Sequence, residues 1–332
     1  MHVGTVDYHT AGEPFRIVVE GAPDLTGDTV AERRVYAQTH PDADRVRELL
    51  VQEPRGHADM YGCFVVAPDD EGADLGVVFW HKDGYSTACG HGTIALATWA
   101  VETERVRSEP DGDTEVTIDV PSGRVVGRVH MRRGRVEGVT FRNVDSYVIA
   151  RDVELVTSRG RIAVDVSYGG AIYASVSAVS AGLGVEAGQY NELIAFGREV
   201  KALLADSPHA RHSTDPRQSG IYGTILYDDL GRSDHGPYQR NVTVFADGEV
   251  DRSPCGSGTS ARIALLADDG TLGDGDTLVH DSIVGTRFLA RAVPGSSDET
   301  VVPEVTGSAY RTGEHTFMLD PDDPLQTGFT LR

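Results

Sequence analysis

Two short glycine-rich segments each begin with a cysteine. Cys89–Ala95 and Cys255–Ala261 share the pattern Cys-Gly-X-Gly-Thr-X-Ala, which has five identical positions. Their first residues lie 166 positions apart, half the length of the 332-residue chain. Small and apolar residues follow each copy, a composition typical of a tightly packed helix. A repeat at half the chain length predicts two similar domains, each with one cysteine at the start of one buried helix.

A cysteine at that position has predictable chemistry. Unpaired backbone N–H groups and the positive end of the helix dipole favour thiolate over thiol, so we expect a lowered thiol pKa. The adjacent glycines allow close approach of a ligand, and the N–H groups suit a carboxylate. Two such helix ends on opposite sides of a small anion would remove a proton from one face and return one to the other. Such a site inverts a carbon next to a carboxylate without a cofactor, if N–H donors stabilise the carbanion.

Other functional interpretations of these residues have less support. Cys63 lies in an apolar strand pattern and is interpreted as a small buried hydrophobic residue. The Cys89-Gly-His91 spacing is poor for zinc, and no Cys-X-X-Cys pair exists, so no metal is expected. The segment Gly256–Thr259 lacks the Gly-Lys of a phosphate-binding loop. No Gly-X-Ser-X-Gly elbow is present in either motif, so a serine hydrolase is not indicated.

Composition excludes several classes of function. The chain has 51 acidic and 30 basic residues, a formal net charge of −21, which argues against nucleic-acid binding. No apolar run approaches the roughly 18 residues of a membrane span, and no secretory signal is visible. The 3 cysteines cannot build a disulfide framework, so a cytoplasmic enzyme is expected. Two explanations of this acidic composition stay open: a compositional bias of a high-GC genome, and adaptation to a high-salt cytoplasm.

Hydrophobic patterning predicts mostly strands with a few helices. A capping box at Thr29–Glu32 opens a helix that Pro41 is expected to interrupt, and a second helical pattern covers about 185–204. The predicted strands are 15–20, 59–67, 75–80, 116–120, 124–130, 136–141, 146–150, 162–166, 223–227 and 241–245. No low-complexity linker separates the two halves.

Beyond the cysteine motifs, the chain resembles the proline racemase family over almost its whole length. The resemblance is carried by His9–Pro14, Glu53–Gly62, Cys89–His91, Tyr168–Gly170 and Asp251–Cys255. It implies an α/β (α+β) fold of two pseudo-symmetric domains similar to diaminopimelate epimerase, each a curved sheet around a central helix, with the active site in the cleft between them. The expected domains are 1–145 and 146–314, with a C-terminal strand at about 315–332 returning to the first. The resemblance also implies a homodimer, a small-molecule substrate, and no pyridoxal phosphate or metal.

The same resemblance assigns roles to individual residues. Cys89 and Cys255 would be the two acid/base groups, and His91 and Asp251 would hold the ring nitrogen of the substrate. The substrate carboxylate would be bound by backbone N–H groups of Gly90, His91, Gly256 and Ser257. These roles agree with elementary chemistry, because a secondary ammonium favours a nearby carboxylate and a carboxylate favours helix N-termini.

The reaction itself stays open at this point. Four stretches look like the trans-3-hydroxy-L-proline dehydratase branch: Tyr85–Cys89, Tyr168–Tyr173, Gly256–Ala264 and Asp322–Leu325. That branch usually carries threonine where this chain has Cys255, because elimination needs a base on one face only. The second thiol therefore favours a racemase or hydroxyproline 2-epimerase, with the dehydratase as the alternative. The preferred substrate among proline, 3-hydroxyproline and 4-hydroxyproline is left open, and a non-catalytic amino-acid-binding protein is a third possibility.

Overall fold

The computed structural model describes residues 1–331. The first part of the chain forms β1 (His2–Thr10), β2 (Glu13–Glu20), α1 (Val30–Thr39), α2 (Pro41–Val51), β3 (Tyr61–Val66), β4 (Leu75–His81), α3 (Gly90–Glu102), β5 (Gly112–Val120), β6 (Gly123–Arg132) and β7 (Arg135–Arg142). The remainder forms β8 (Tyr147–Thr157), β9 (Gly160–Tyr168), β10 (Ile172–Ser177), α4 (Tyr190–Leu204), β11 (Ile221–Ser233), β12 (Gly236–Phe245), β13 (Glu249–Asp251), α5 (Gly256–Asp268), β14 (Leu278–Ser282), β15 (Arg287–Pro294), β16 (Val301–Gly307) and β17 (Ala309–Met318). The expected mixed α/β class is confirmed. Within residues 1–331, no helix combines the length and the apolar character that crossing a bilayer requires.

Backbone contacts divide the chain into two compact units. The first comprises Met1–Val139 and the C-terminal segment from Ser308, and the second comprises Thr140–Gly307. The units therefore divide at 139/140 and 307/308, against the expected 145 and 314. The C-terminal segment contributes β17, which pairs antiparallel with β1 in the first unit.

The two units repeat one order of strand pairing. In the first, β17–β1 and β1–β2 are antiparallel, β2–β3 parallel, β3–β4 antiparallel, β4–β5 parallel and β5–β6 antiparallel. The second unit gives the same series through β8, β9, β10, β11, β12, β14 and β15. Each parallel pair requires a crossover connection, and helices occupy these connections at corresponding places. The repeat seen in the sequence is therefore a repeat of topology.

The helices that follow the cysteine motifs lie at the centre of their units. In α3, every residue from Gly90 to Val101 is buried, and the helix contacts β1, β2, β5, β6 and β17. In α5, every residue from Gly256 to Leu266 is buried, and the helix contacts β8, β9, β10, β15 and β16. Each unit is thus a sheet packed around a central helix. This packing fixes the position of the first residues of that helix.

The predicted start of the first helix is confirmed. The hydroxyl of Thr29 accepts the backbone N–H of Glu32 at 3.2 Å, and the Glu32 carboxylate accepts the N–H of Thr29 at 3.3 Å. Pro41 is the first residue of α2, where its missing N–H leaves no hydrogen bond unmade. The interruption predicted at Pro41 is therefore a break between two helices.

The structure corrects the predicted helix over 185–204, because α4 begins only at Tyr190. The N–H of Val185 donates to the Asp228 carboxylate at 2.8 Å, and a single 3-10 turn at Ala187–Gln189 precedes the α-helix. Gly188 adds a residue of low helix propensity. Patterning also missed β14, a fully buried strand that contains the polar residue His280 and so lacks an apolar run.

Candidate active site

Cys89 is the N-cap of α3. Its backbone is extended, with φ −152° and ψ 98°, and its Sγ accepts the N–H of Gly92 at 3.2 Å. A side chain at position 92 would collide with this arrangement, since a Cβ there would lie 2.7 Å from Sγ and 2.3 Å from the Phe15 ring. The second glycine of the motif is therefore required for the thiol to reach the helix end.

We expect Gly92→Ala to destabilise the protein by about 1–3 kcal/mol, because the methyl group would overpack a buried site against Phe15 and the thiol. Urea unfolding would measure this free energy. Gly188→Ala is the matched control, since no atom lies within 4 Å of its Cβ position, and we expect no loss there. An equal effect of the two substitutions would contradict the proposed packing.

His91 lies beside the Cys89 thiol. Its ring nitrogens are 3.5 Å and 3.6 Å from Sγ, and the rings of Phe15 and Tyr61 contact it edge-on. Burial lowers the pKa of His91 to about 3, so the imidazole is neutral at neutral pH. A neutral imidazole accepts a hydrogen bond from an ammonium group, which is the role expected for this residue.

Cys255 is the N-cap of α5, in the position that Cys89 has in α3. Its Sγ accepts the N–H of Gly258 at 3.3 Å. Burial, and secondly the charge of Asp251, raise the pKa of the Cys255 thiol well above its usual value. The expected lowering of the pKa is therefore wrong for Cys255, because these two effects outweigh the N–H contact. A raised pKa favours the thiol, which is the form that can deliver a proton.

Asp251 ends the short strand β13 and is tied to the cysteine by one serine. Its carboxylate accepts the N–H of Ser253 at 2.8 Å and the Ser253 hydroxyl at 2.7 Å. The hydroxyl oxygen of Ser253 in turn accepts the N–H of Cys255 at 3.0 Å. Burial raises the pKa of Asp251 to about 6, so the carboxylate is mainly ionised at neutral pH.

Ser257 has a partner that the sequence did not reveal. The phenol of Tyr173 lies 2.7 Å from Ser257 Oγ and 3.9 Å from Cys255 Sγ, and burial raises its pKa well above the usual value. In the sequence, Tyr173 stands out only as the end of the stretch that begins at Tyr168. Its partners come from a different element, so a local motif could not show the contact.

The remaining candidates are the first residues of the two helices. Gly90 begins α3 and Gly256 begins α5, so each lies where backbone N–H groups have no acceptor within the helix. In the first unit the structure thus brings together Cys89, Gly90 and His91, and in the second it brings together Asp251, Cys255, Gly256 and Ser257. By contrast, Cys63 is buried in β3, and burial raises its pKa well above the usual value, in agreement with a structural role.

Comparison with known proteins decides the family. The model of the family described as proline racemase matches residues 5–330. The chain belongs to the proline racemase family. It is 41% identical to a trans-3-hydroxy-L-proline dehydratase of Bacillus thuringiensis subsp. konkukian, over 98% of this chain and 97% of that protein. It is 44% identical to a 3-hydroxyproline 2-epimerase of Burkholderia multivorans, over 99% of this chain and 98% of that one.

A solved structure extends the likeness to three dimensions. The hydroxyproline epimerase of Agrobacterium vitis, crystallised with bound trans-4-hydroxy-L-proline, superposes with a TM-score of 0.90 at 30% identity. The match covers 99% of this chain and 96% of that one. The relatives of this proline racemase family member thus include epimerases and a dehydratase. All of these enzymes are named for hydroxyprolines.

Proposed function

We propose that this chain is a cofactor-independent 2-epimerase of a proline-type amino acid, with Cys89 and Cys255 as the two acid/base groups. The observation that carries the proposal is the equivalence of the two thiols. Each caps a buried central helix, and each Sγ accepts the N–H of the residue three positions later. A single-base reaction would require one such arrangement, whereas inversion requires two.

The proton transfers balance without a cofactor. One sulfur, as thiolate, takes the proton from Cα, and the electron pair left on Cα is delocalised into the carboxylate. The other sulfur, as thiol, gives its proton to the opposite face and becomes a thiolate. Backbone N–H groups at the helix starts stabilise the charge that develops on the carboxylate oxygens. The reverse reaction exchanges the roles of the two sulfurs.

The substrate contacts follow from charge. The ring nitrogen of a proline-type substrate is a secondary ammonium with two N–H donors. The ionised Asp251 carboxylate and the neutral His91 imidazole are suitable acceptors for them. We propose 3-hydroxyproline as the first substrate to test, because relatives 41% and 44% identical carry that compound in their names.

Elimination is the second candidate reaction, and the dehydratase names of several relatives favour it. It begins with the same loss of the Cα proton to a thiolate. The C–O bond at C3 then breaks as a Cα=C3 double bond forms, and the leaving hydroxyl takes the proton that the thiol removed from Cα, so water departs and the thiolate is regenerated. The resulting enamine tautomerises to pyrroline-2-carboxylate. One enzyme could partition a 3-hydroxylated substrate between the two outcomes, since the shared intermediate precedes both.

The proposal is tested by incubating the enzyme separately with L-proline, trans-4-hydroxy-L-proline and trans-3-hydroxy-L-proline. Chiral chromatography would separate the 2-epimers, and o-aminobenzaldehyde would detect pyrroline-2-carboxylate. We expect a 2-epimer to accumulate from at least one substrate. Consumption of trans-3-hydroxy-L-proline to pyrroline-2-carboxylate alone would instead establish the dehydratase, and no reaction with any of the three would contradict both.

The pKa of Asp251 predicts a pH dependence of substrate binding. Protonation of this carboxyl below about pH 6 removes the charge that faces the ammonium. We expect the Kd of a reactive proline substrate to rise about tenfold per pH unit below that value, measured by calorimetry. His91 contributes nothing to this change, because its pKa lies near 3. Pyrrole-2-carboxylate, whose ring nitrogen carries no charge, is the control ligand and should show a much smaller dependence.

Asp251→Asn should remove this dependence and bind the substrate weakly at every pH. The folded pKa of Asp251 exceeds the usual value near 4, so its protonation stabilises the wild-type fold below about pH 4, and this contribution is lost as the pH rises through 6. At neutral pH the ionised carboxylate therefore contributes no such stability. For this reason we expect the Asp251→Asn variant to remain folded at neutral pH. A wild-type pH dependence that persists in Asp251→Asn would contradict the assignment of this carboxylate.

A further inference from the structure

The two capping cysteines differ in backbone conformation. Cys89 is extended, whereas Cys255 has φ +63° and ψ 110°, outside the regions that residues with a side chain normally occupy. A conformation of this kind persists only where neighbouring groups hold it. Contacts specific to the second copy of the motif must therefore hold the backbone of Cys255.

The carbonyl of Pro254, directly before Cys255, is held by two donors. It accepts the side-chain amide of Asn241 at 3.0 Å and the hydroxyl of Thr259 at 3.0 Å. His280 joins these two donors, with Nε2 2.8 Å from Asn241 Nδ2 and Nδ1 2.8 Å from Thr259 Oγ1. We call Asn241, Thr259 and His280 the Pro254 clamp.

The donors and acceptors of the Pro254 clamp fit in one arrangement only. An amide nitrogen can only donate, so Nε2 of His280 accepts from Asn241 and Nδ1 carries the proton. Nδ1–H then donates to the oxygen of Thr259, whose own proton goes to the Pro254 carbonyl. Burial lowers the pKa of His280 to about 3, so the neutral ring that this arrangement requires is the form present. Each clamp side chain is completely buried.

The first copy of the motif uses the same threonine differently. Thr93 is the fifth residue of the first motif, as Thr259 is of the second. Its hydroxyl donates to the carbonyl of Cys89 at 2.8 Å, four residues back, as a helical threonine commonly does. Thr259 instead reaches the carbonyl five residues back, at Pro254. The change of acceptor accompanies the change in backbone conformation at the cysteine.

We propose that Asn241, Thr259 and His280 are positioning residues that hold Cys255 in its positive-φ conformation and thereby aim the second thiol. The consequence for catalysis rests on the proposed function, in which Cys255 serves one face of the substrate. Cys89 makes the equivalent contact with Gly92 from an extended backbone, so the contact alone does not require a positive φ. The direction of the Cα–Cβ bond of Cys255 changes with its φ, however, so we expect release of the Pro254 carbonyl to displace Sγ from the N–H of Gly258.

The test compares Thr259→Val with Thr93→Val, which remove one buried hydroxyl from the same position of each motif. Thr259→Val should lose more stability than Thr93→Val, because it also leaves the buried Nδ1–H of His280 without its acceptor. Only Thr259→Val should slow alkylation of Cys255 by iodoacetamide, by about tenfold relative to Cys89 in the same molecule, because the sulfur loses its N–H donor. Peptide mass spectrometry would follow both cysteines together. Thr259→Ser, which restores the hydroxyl, should restore the wild-type ratio.

Turnover supplies a second readout. Thr259→Val should lower kcat for inversion at least tenfold with KM within twofold, whereas Thr93→Val should change neither by more than twofold. A Cys255 alkylation ratio that is unchanged or raised in Thr259→Val would overturn the positioning role, as would equal effects of the two variants. The alkylation ratio is measured without substrate, so failure of the wild type to invert any proline would overturn only the proposed reaction.

Discussion

Cys89→Ser is expected to abolish both inversion and elimination, with kcat/KM reduced at least a thousandfold. Both reactions begin with proton removal by a thiolate, and a serine hydroxyl does not ionise near neutral pH. The fold should be preserved, because Cys89 caps α3 by accepting the N–H of Gly92, and serine is among the preferred residues for that task. Steady-state kinetics on each substrate, together with thermal unfolding, would measure the two effects separately.

Cys63→Ala is the matched control for this experiment. Cys63 is buried in β3 and carries no assigned chemistry, so the substitution should leave kcat/KM within about twofold while costing some stability through lost packing. Turnover retained by Cys89→Ser would remove Cys89 from the mechanism.

Replacement of the second thiol is expected to separate the two reactions. Cys255→Thr should suppress inversion at least a thousandfold, because no group remains to serve the second face. Elimination of water from trans-3-hydroxy-L-proline should persist within about tenfold of the wild-type rate if that substrate is accepted, since it needs only the base at Cys89. Chiral chromatography and detection of pyrroline-2-carboxylate in the same reaction would give both rates.

The backbone conformation of Cys255 makes Cys255→Ser a useful second variant for this experiment. Cys255 has φ +63°, and a β-branched residue is especially unfavourable there, so Cys255→Thr is expected to lose stability as well as chemistry. Cys255→Ser carries no such branch and still caps the helix. Agreement between the two variants would assign the loss of inversion to the missing thiol, whereas normal inversion by either would contradict the two-base mechanism.

The two thiols are equivalent in position but not in surroundings. Cys89 lies beside the neutral imidazole of His91, whereas Cys255 is linked through Ser253 to the acidic side chain of Asp251. Burial and the charge of Asp251 raise the pKa of Cys255, which favours its protonated form before substrate arrives. An ammonium bound at Asp251 would offset that charge. Substrate binding and ionisation of Cys255 are therefore coupled in this mechanism.

Much of this arrangement could be predicted from local sequence. The repeated Cys-Gly-X-Gly-Thr pattern predicted two buried helices that start at a cysteine, and α3 and α5 begin directly after Cys89 and Cys255. The capping box at Thr29 located α1 for the same reason. These features depend on residues within one turn of each other, so the chemistry of a short segment is enough to define them.

What the sequence could not provide depends on contacts between distant elements. Thr93 and Thr259 occupy the same motif position, yet they bond to different carbonyls, because Asn241 on β12 and His280 on β14 complete a network only at Thr259. Tyr173 reaches Ser257 from a strand more than 80 positions earlier. The strained backbone of Cys255 follows from such contacts and leaves no local pattern.

The most direct test of the two-thiol mechanism is proton NMR of the reaction in deuterated buffer. The enzyme would be incubated separately with L-proline, trans-4-hydroxy-L-proline and trans-3-hydroxy-L-proline. The mechanism predicts that for at least one substrate the Cα–H signal disappears while the 2-epimer forms with deuterium at Cα, because its proton comes from the second thiol. Absence of deuterium from Cα of every substrate and product, or a 2-epimer that keeps the original proton, would contradict it.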